Sequence, residues 1–402
     1  MKNHFQILII GGGNAGIALA AQLHRKDGKL DIAIVEPSEK HHYQPAWTLV
    51  GGGVYDHAST ERSEASVMPP KVEWIHDAAA SFEPENNTLV TASGKRCTYD
   101  FLVVAPGIQL DWEKIKGLQG NLGKYGITSN YSFETAPYTF ELISNLKKGK
   151  ALFTNPNTPI KCGGAPQKAM YMSSDYWRKH GVLSDVQVHF YSAASMIFGI
   201  KEYRETLEGV IKRYGIHTHY LHNLVEIKAR EKVAVFDVYK DGQVVDQVQD
   251  TYDMIHITPP QSAPDFIKNS PLAVPGNPLG WVDVDKFTFQ HVRYANIYSL
   301  GDVSSTPNAK TGAAVRKQVP VLVEQLVSQI YHQKASLAQY HGYGSCPLVT
   351  GYGKLVMAEF DYDNKRVETF PFDQSKERLS MYLLKTQVLP RLYWNAILKG
   401  LM

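Results

Sequence analysis

The chain has 402 residues, 44% apolar and 20% charged, which excludes disorder and a single compact core and predicts roughly two or three domains. Forty-two Lys and Arg against 39 Asp and Glu leave a net charge of +3, too weak a bias for a nucleic-acid binder. Cys97, Cys162 and Cys346 are the three cysteines, too sparse for a disulfide scaffold or a CxxC zinc site, so no metal is expected. No apolar run approaches the length of a membrane span, and the early start at Phe5–Ile10 leaves no room for a cleavable presequence. A bacterial-type or already processed chain in a reducing cytoplasm is expected.

FQILIIGGGNAGIALAAQLHR reads as a buried strand, a glycine turn and a helix with small residues toward the sheet. Gly11 permits the tight turn, Gly13 lets the backbone approach a pyrophosphate, and Gly16 allows close helix packing, with Gly12 and Ala15 completing the turn. The next strand ends in Glu36, 20 residues beyond Gly16, the spacing that places a carboxylate at a ribose hydroxyl. A dinucleotide site is predicted. YDFLVVAPG, ending at Gly107, is a further buried strand that returns to the same site.

A different domain follows over roughly 115–280. A helix around Ala136–Leu146 and the strand KALFTNP lead to a turn where a second nucleotide fingerprint is due. The turn reads NPNTPIKCGGAPQK instead, with Pro156 and Pro159 disrupting a phosphate cradle and Cys162 directly before Gly163-Gly164. Helix Gln167–His180, strand VQVHFYSA, helix Glu202–Tyr214 and two or three strands within Val225–Val238 complete a degenerate second Rossmann-like unit. Near residue 300, ANIYSLGDVSS is a strand ending in Gly301-Asp302, a place where flavoproteins, which this pattern resembles, hold the ribityl and phosphate region.

The remainder contains the loop HGYGSCPLVTGYG, short strands KLVMAEFDYD and RVETFPFD, and a helical stretch from Glu377 to Met402 divided by Pro390. Its Leu, Tyr and Trp residues with Arg378, Lys385, Arg391 and Lys399 fit a helix lying at a membrane surface, too short to span it. The expected fold is α/β: a dinucleotide domain split into 1–114 and 281–330, an inserted Rossmann-like domain at 115–280, and a C-terminal amphipathic membrane-surface region at 331–402.

A flavin needs an electron donor, and the missing second fingerprint argues against NAD(P)H. Thiols are the substitute, because thiolates are strong nucleophiles and disulfides accept an attacking sulfur anion. By context Cys162 and Cys346 are either functional or small, tolerated loop residues, whereas Cys97 reads as structural or surface-lying. The adjacent His41 and His42 read as surface polar residues.

The strings VEPSEKHHYQPAWTLVGGG, GIQLDWEKIKGL, NTPIKCGGAPQKAMYMS, SCPLVTGY and FPFDQSKERLSMYLLK resemble sulfide:quinone oxidoreductases of the type that includes the mitochondrial enzymes, nearly end to end. The resemblance implies a peripheral flavoenzyme that oxidises hydrogen sulfide, holds the sulfur as a persulfide and passes two electrons through FAD to ubiquinone or menaquinone. It implies that Cys162 and Cys346 are the redox pair, Cys346 carrying the sulfane sulfur and Cys162 engaging the flavin as a thiolate. For FAD it implies Gly11, Gly12, Gly13, Ala15, Gly16, Glu36, Gly107 and Asp302, with Lys310 near the pyrimidine edge and Gln44 and Pro45 near the flavin. Tyr382, Tyr393 and Trp394 are candidates for a quinone channel or lipid interface. A sulfur acceptor such as sulfite, cyanide or a small thiol, a homo-oligomer, and the cytoplasmic face of a bacterial cell membrane complete the expectation. Relatives continue beyond the position of Gly400 and can carry a cysteine where this chain has Val303, which implies a two-cysteine mechanism. Rival readings are an NAD(P)H-dependent disulfide, persulfide or quinone reductase, and a flavin-binding redox sensor without turnover.

Overall fold

Strands that are apolar on both faces need cover on both sides, and the chain supplies it twice. In the computed structural model, which describes residues 2–402, strand His4–Ile10 lies parallel between Ile32–Val35 and Arg96–Val104. Glu73–Ile75 extends this sheet in parallel on one side, and Thr88–Thr91 and Ala79–Glu83 add an antiparallel edge on the other. Ile297–Ser299 then pairs parallel with Leu102–Val104, so a segment almost 200 residues later completes the seven-stranded sheet. Helices Asn14–Lys26 and Gly312–Ile330 share one core against it, together with Tyr393, Trp394 and Leu398 from the C-terminal stretch.

The second sheet has five strands, all parallel, with Gly149–Asn155 at its centre between Met254–His256 and Val186–Ser192. Helices Ala165–Lys179 and Lys201–Tyr214 pack on it through Trp177, Tyr203 and Leu207. A three-stranded antiparallel sheet, His222–Lys228, Val233–Lys240 and Gln243–Thr251, buries Leu224, Ile227 and Phe236 against Leu152 and Ile255.

Three sequence expectations need correction. HGYGSCPLVTGYG is not a loop throughout: Gly344–Gly351 is a strand paired antiparallel with Lys354–Phe360. The pairing buries Cys346, Leu348, Val356 and Ala358 in the core beneath Ala165–Lys179. RVETFPFD is not a strand: after one bridge of Arg366 to Phe360 its amides turn to side chains, Thr369 N to Glu359 Oε2 at 2.8 Å and Phe370 N to Gln374 Oε1 at 2.9 Å. The C-terminal stretch is helical but uneven, with Leu379–Leu383 α-helical, a π turn at Leu384–Val388 and an α-helix at Leu389–Asn395. Pro390 has no N–H to donate into the preceding turn, and the widened turn accommodates that loss.

Cys97 lies within strand Arg96–Val104, fully buried beside Leu89 and Tyr99, and burial pushes its thiol up. Such a thiol is inert. Cys97→Ser places a hydroxyl in an apolar site, a cost of about 1–3 kcal/mol. A thermal melt should show a transition several degrees lower, with turnover of the folded variant within a few-fold of the parent.

Candidate active site

The first glycine turn is built as an open cradle. Gly11 has φ +102°, and a Cβ there would lie 2.5 Å from the carbonyl oxygen of Ala105; a Cβ on Gly16 would overlap the Gly11 carbonyl. Gly13, which caps helix Asn14–Lys26, has nothing within 4 Å of the same position. Free amides at a helix N-terminus with empty space before them suit a pyrophosphate. Glu36 closes one side, accepting from Gly12 N and Ser38 N, each at 2.7 Å, and burial pushes its carboxyl up. Gly301 packs against Ala15, with Asp302 next to it, while Gly107 at φ +78° faces open space. These residues fit a dinucleotide.

The two distant cysteines meet beside this cradle. Cys162 sits in the left-handed region at φ +54°, a strained position for a residue with a side chain, and its amide bonds to Lys310 O at 2.7 Å. Gly164 has no room for a Cβ because Leu348 presses against it, and this close approach brings the Cys346 strand to the Cys162 turn. Cys346 Cβ lies 3.8 Å from where a Cβ on Gly164 would stand, and the two thiols shift one another in opposite directions. Donation from Cys346, then the Lys168 ammonium with Nζ 3.0 Å from Sγ, holds Cys162 well below the usual thiol range although burial opposes it. The same hydrogen bond, with burial, pushes Cys346 well up. The two sulfurs thus stand in unequal surroundings, with the ammonium on the Cys162 side.

Four lysines lie around Cys162 and Asp302. Lys310 is buried, donating to Asp302 O at 2.5 Å and Ser304 O at 3.1 Å and lying 4.0 Å over the Trp281 ring; burial pushes it down to about 8. Lys161, also pushed down to about 8 by burial, donates to Gln44 Oε1 at 2.6 Å. Burial raises the Asp302 carboxyl between them, and both lysines oppose the rise. Lys168 is buried beside Cys162. Lys385 is buried as well, donating to Pro45 O at 3.0 Å, and burial followed by the Lys168 charge pushes it down to about 7.

Lys168 and Lys385 are the residues that sequence reasoning missed. Lys385 had been assigned to a membrane-facing surface; the π turn directs it inward instead. His41 is likewise buried rather than surface-lying, packed against Tyr393 and Trp394. Tyr393 and Trp394 are themselves buried in the core of the first sheet, while half-buried Tyr382 lies in a separate Met-rich cluster with Met172, Met357 and Met381. The structure therefore separates these aromatic residues. A lysine six residues after a cysteine, as in CGGAPQK, puts both at one helix end and is the signal that would have found Lys168.

Residues 5–325 match the pyridine nucleotide-disulphide oxidoreductase family. This is the class that the split sheet, the glycine cradle and the thiol pair define. The mitochondrial sulfide:quinone oxidoreductase of Mus musculus is 46% identical over 399 residues, covering 99% of this chain and 87% of that protein. The Dictyostelium discoideum mitochondrial enzyme is 46% identical over 405 residues, covering 100% and 87%. The chain belongs to the sulfide:quinone oxidoreductases. The crystal structure of the Aquifex aeolicus sulfide:quinone oxidoreductase superposes with a TM-score of 0.80 over 100% of this chain and 92% of that one, at 20% identity, and shares the fold. The bacterial cell membrane expected from the sequence is overturned by the mitochondrial relatives. The features behind that expectation, a surface helix and no evident presequence, do not distinguish one membrane from another.

Replacing Lys168 by Met removes a charge that lowers the Cys162 thiol, so that pKa rises and the thiolate fraction at neutral pH falls. Iodoacetamide labelling of the reduced protein, followed on the Cys162 peptide by mass spectrometry, should be about tenfold slower at pH 7 and should recover as pH rises. An unchanged pH profile would remove Lys168 as the charge partner.

Proposed function

We propose that the chain is an FAD-dependent oxidoreductase that converts hydrogen sulfide to a cysteine persulfide on the Cys162–Cys346 pair and delivers two electrons to a quinone. The observation that carries this reading is that the Cys346 strand packs on the Gly164 end of the Cys162 turn, with an ammonium 3.0 Å from the Cys162 sulfur. FAD, when bound, takes up the two electrons and hands them to the quinone. The open glycine cradle and Glu36 would hold its pyrophosphate and ribose, with Asp302 and Lys310 toward the ring end.

The protein's own groups set the direction of the sulfur chemistry. Hydrosulfide is an anion, and the lysines around the pair draw it into a buried site. In the oxidised pair it attacks the Cys346 sulfur; the S–S bond breaks, its electrons leave with Cys162, and Cys346 keeps the incoming sulfur as a persulfide. The more acidic thiol is the better leaving group, and that thiol is Cys162 because Lys168 stabilises its anion. A nucleophile such as sulfite, cyanide or a small thiol then removes the outer sulfur, and the pair re-forms its bond when its two electrons depart.

The C-terminal region supports contact with a membrane that contains the quinone. No helix among the described residues is long and apolar enough to cross a membrane. Leu379 and Leu383, one turn apart, are nevertheless 59% and 48% exposed, and Val388, Leu401 and Met402 are exposed too, as are Arg391 and Lys399 of the same C-terminal stretch. An apolar ridge with basic residues suits an interfacial helix. Tyr382, packed in the Met-rich cluster and next in sequence to Leu383, is the residue proposed for quinone contact. The mitochondrial relatives favour a mitochondrial membrane. Residues 1–114 with 281–330 are read as the FAD domain, 115–280 as the second Rossmann-like domain and 331–402 as the quinone and membrane region.

Cys162→Ser and Cys346→Ser should each lower sulfide-dependent reduction of a soluble quinone at least 100-fold, while Cys97→Ser stays within a few-fold. Anaerobic mixing should bleach the flavin band with sulfide and not with NADH; bleaching by NADH alone would favour the nicotinamide-dependent reading. Leu379→Glu with Leu383→Glu should abolish co-sedimentation with anionic vesicles and leave activity toward a short-chain, soluble quinone near the parent value.

A further inference from the structure

A chain of three buried side chains runs from the C-terminal helix to the glycine cradle, and the sulfur chemistry uses none of them. Tyr393 OH lies 2.7 Å from His41 Nε2, and His41 Nδ1 lies 3.1 Å from Gly12 O and 3.2 Å from Glu64 Oε2. His41 and Glu64 are 3% and 1% exposed. Gly12 O can only accept, so Nδ1 carries a proton and donates to it, and Nε2 on the other side of the ring bonds to the Tyr393 hydroxyl.

Glu64 ends this chain with one oxygen unused. Oε1 is buried and has no hydrogen-bond partner, and it would lie 2.5 Å from a Cβ on Gly12. Gly12 N, on the other side of the same residue, donates to Glu36 Oε2 at 2.7 Å. Two carboxylates thus flank the Gly12 peptide. An unpaired buried carboxylate oxygen is costly, and a carboxylate oxygen takes hydroxyl donors. On an anionic dinucleotide the sugar hydroxyls are such donors and the phosphates are not.

We infer that Glu64 is a second carboxylate of the dinucleotide site and that Tyr393 and His41 are positioning residues that latch the C-terminal helix to it, so that FAD retention and docking of residues 389–399 are coupled. The coupling is reciprocal: whatever the docked helix adds to FAD affinity, bound FAD adds to helix docking. This inference rests on FAD being the bound dinucleotide.

Equilibrium dialysis of the full chain against FAD, with Glu64→Gln and Tyr393→Phe, tests it. In Glu64→Gln the amide oxygen takes the His41 donor and the NH2 group turns toward the cradle; Tyr393→Phe keeps the ring packing and loses the hydroxyl. Each should weaken FAD binding about tenfold, the scale of one buried hydrogen bond to a charged group. Limited trypsinolysis supplies a readout that a purely structural role would not move. FAD should slow cleavage after Arg391 in the parent and lose that effect in Glu64→Gln, while cleavage after the hairpin residue Lys240 stays indifferent to FAD. FAD affinities within twofold of the parent in both variants, or equal protection in Glu64→Gln, overturn the coupling alone. A parent chain that binds no FAD overturns the cofactor reading and the coupling together. Should Glu64→Gln not fold, Tyr393→Phe alone decides.

Discussion

A buried thiolate loses its hydration and persists only where nearby groups offset the loss. At Cys162 two groups do this together, a thiol donating from a distant strand and an ammonium on the following helix. The first of them comes with a close approach at Gly164, where the Leu348 side chain fills the space a Cβ would take. A larger residue there would displace the Leu348 side chain from its place against the turn.

The two glycine turns of the molecule show how one supersecondary unit serves two purposes. At Gly11–Gly16 the turn is held open, and space remains in front of Gly13 for phosphate. In the second unit prolines alter the turn, and the C-terminal hairpin packs on its helix. A site that could cradle a second nucleotide thereby becomes a platform for sulfur. Fold alone did not decide this difference, since both turns follow a central parallel strand and precede a helix.

Electrostatics extend the same design. Lys161, Lys168, Lys310 and Lys385 reach the site from two loops and two helical segments, and burial pushes three of them toward neutrality near physiological pH. Such a cluster answers readily to a negative charge: a neighbouring thiolate or an arriving anion favours protonation, and its loss reverses the balance. Asp302 offsets part of the positive charge at Lys161 and Lys310. Lys168 and Lys385 are the two that act on Cys162.

Much was legible in the residues themselves. The apolar run Phe5–Ile10, the glycine spacing and Glu36 define a strand, a phosphate turn and a ribose contact, because backbone conformation and small-residue packing are set within a few positions of the chain. The unusual strings around Cys162 and Cys346 carried the family resemblance. Tertiary structure alone decided that Cys346 lies on a buried strand, that Lys385 points inward through a π turn, and that His41 joins Glu64 to Tyr393. Those outcomes turn on contacts between residues up to 352 positions apart. The sequence around a lysine or histidine does not register whether a remote segment will remove it from water.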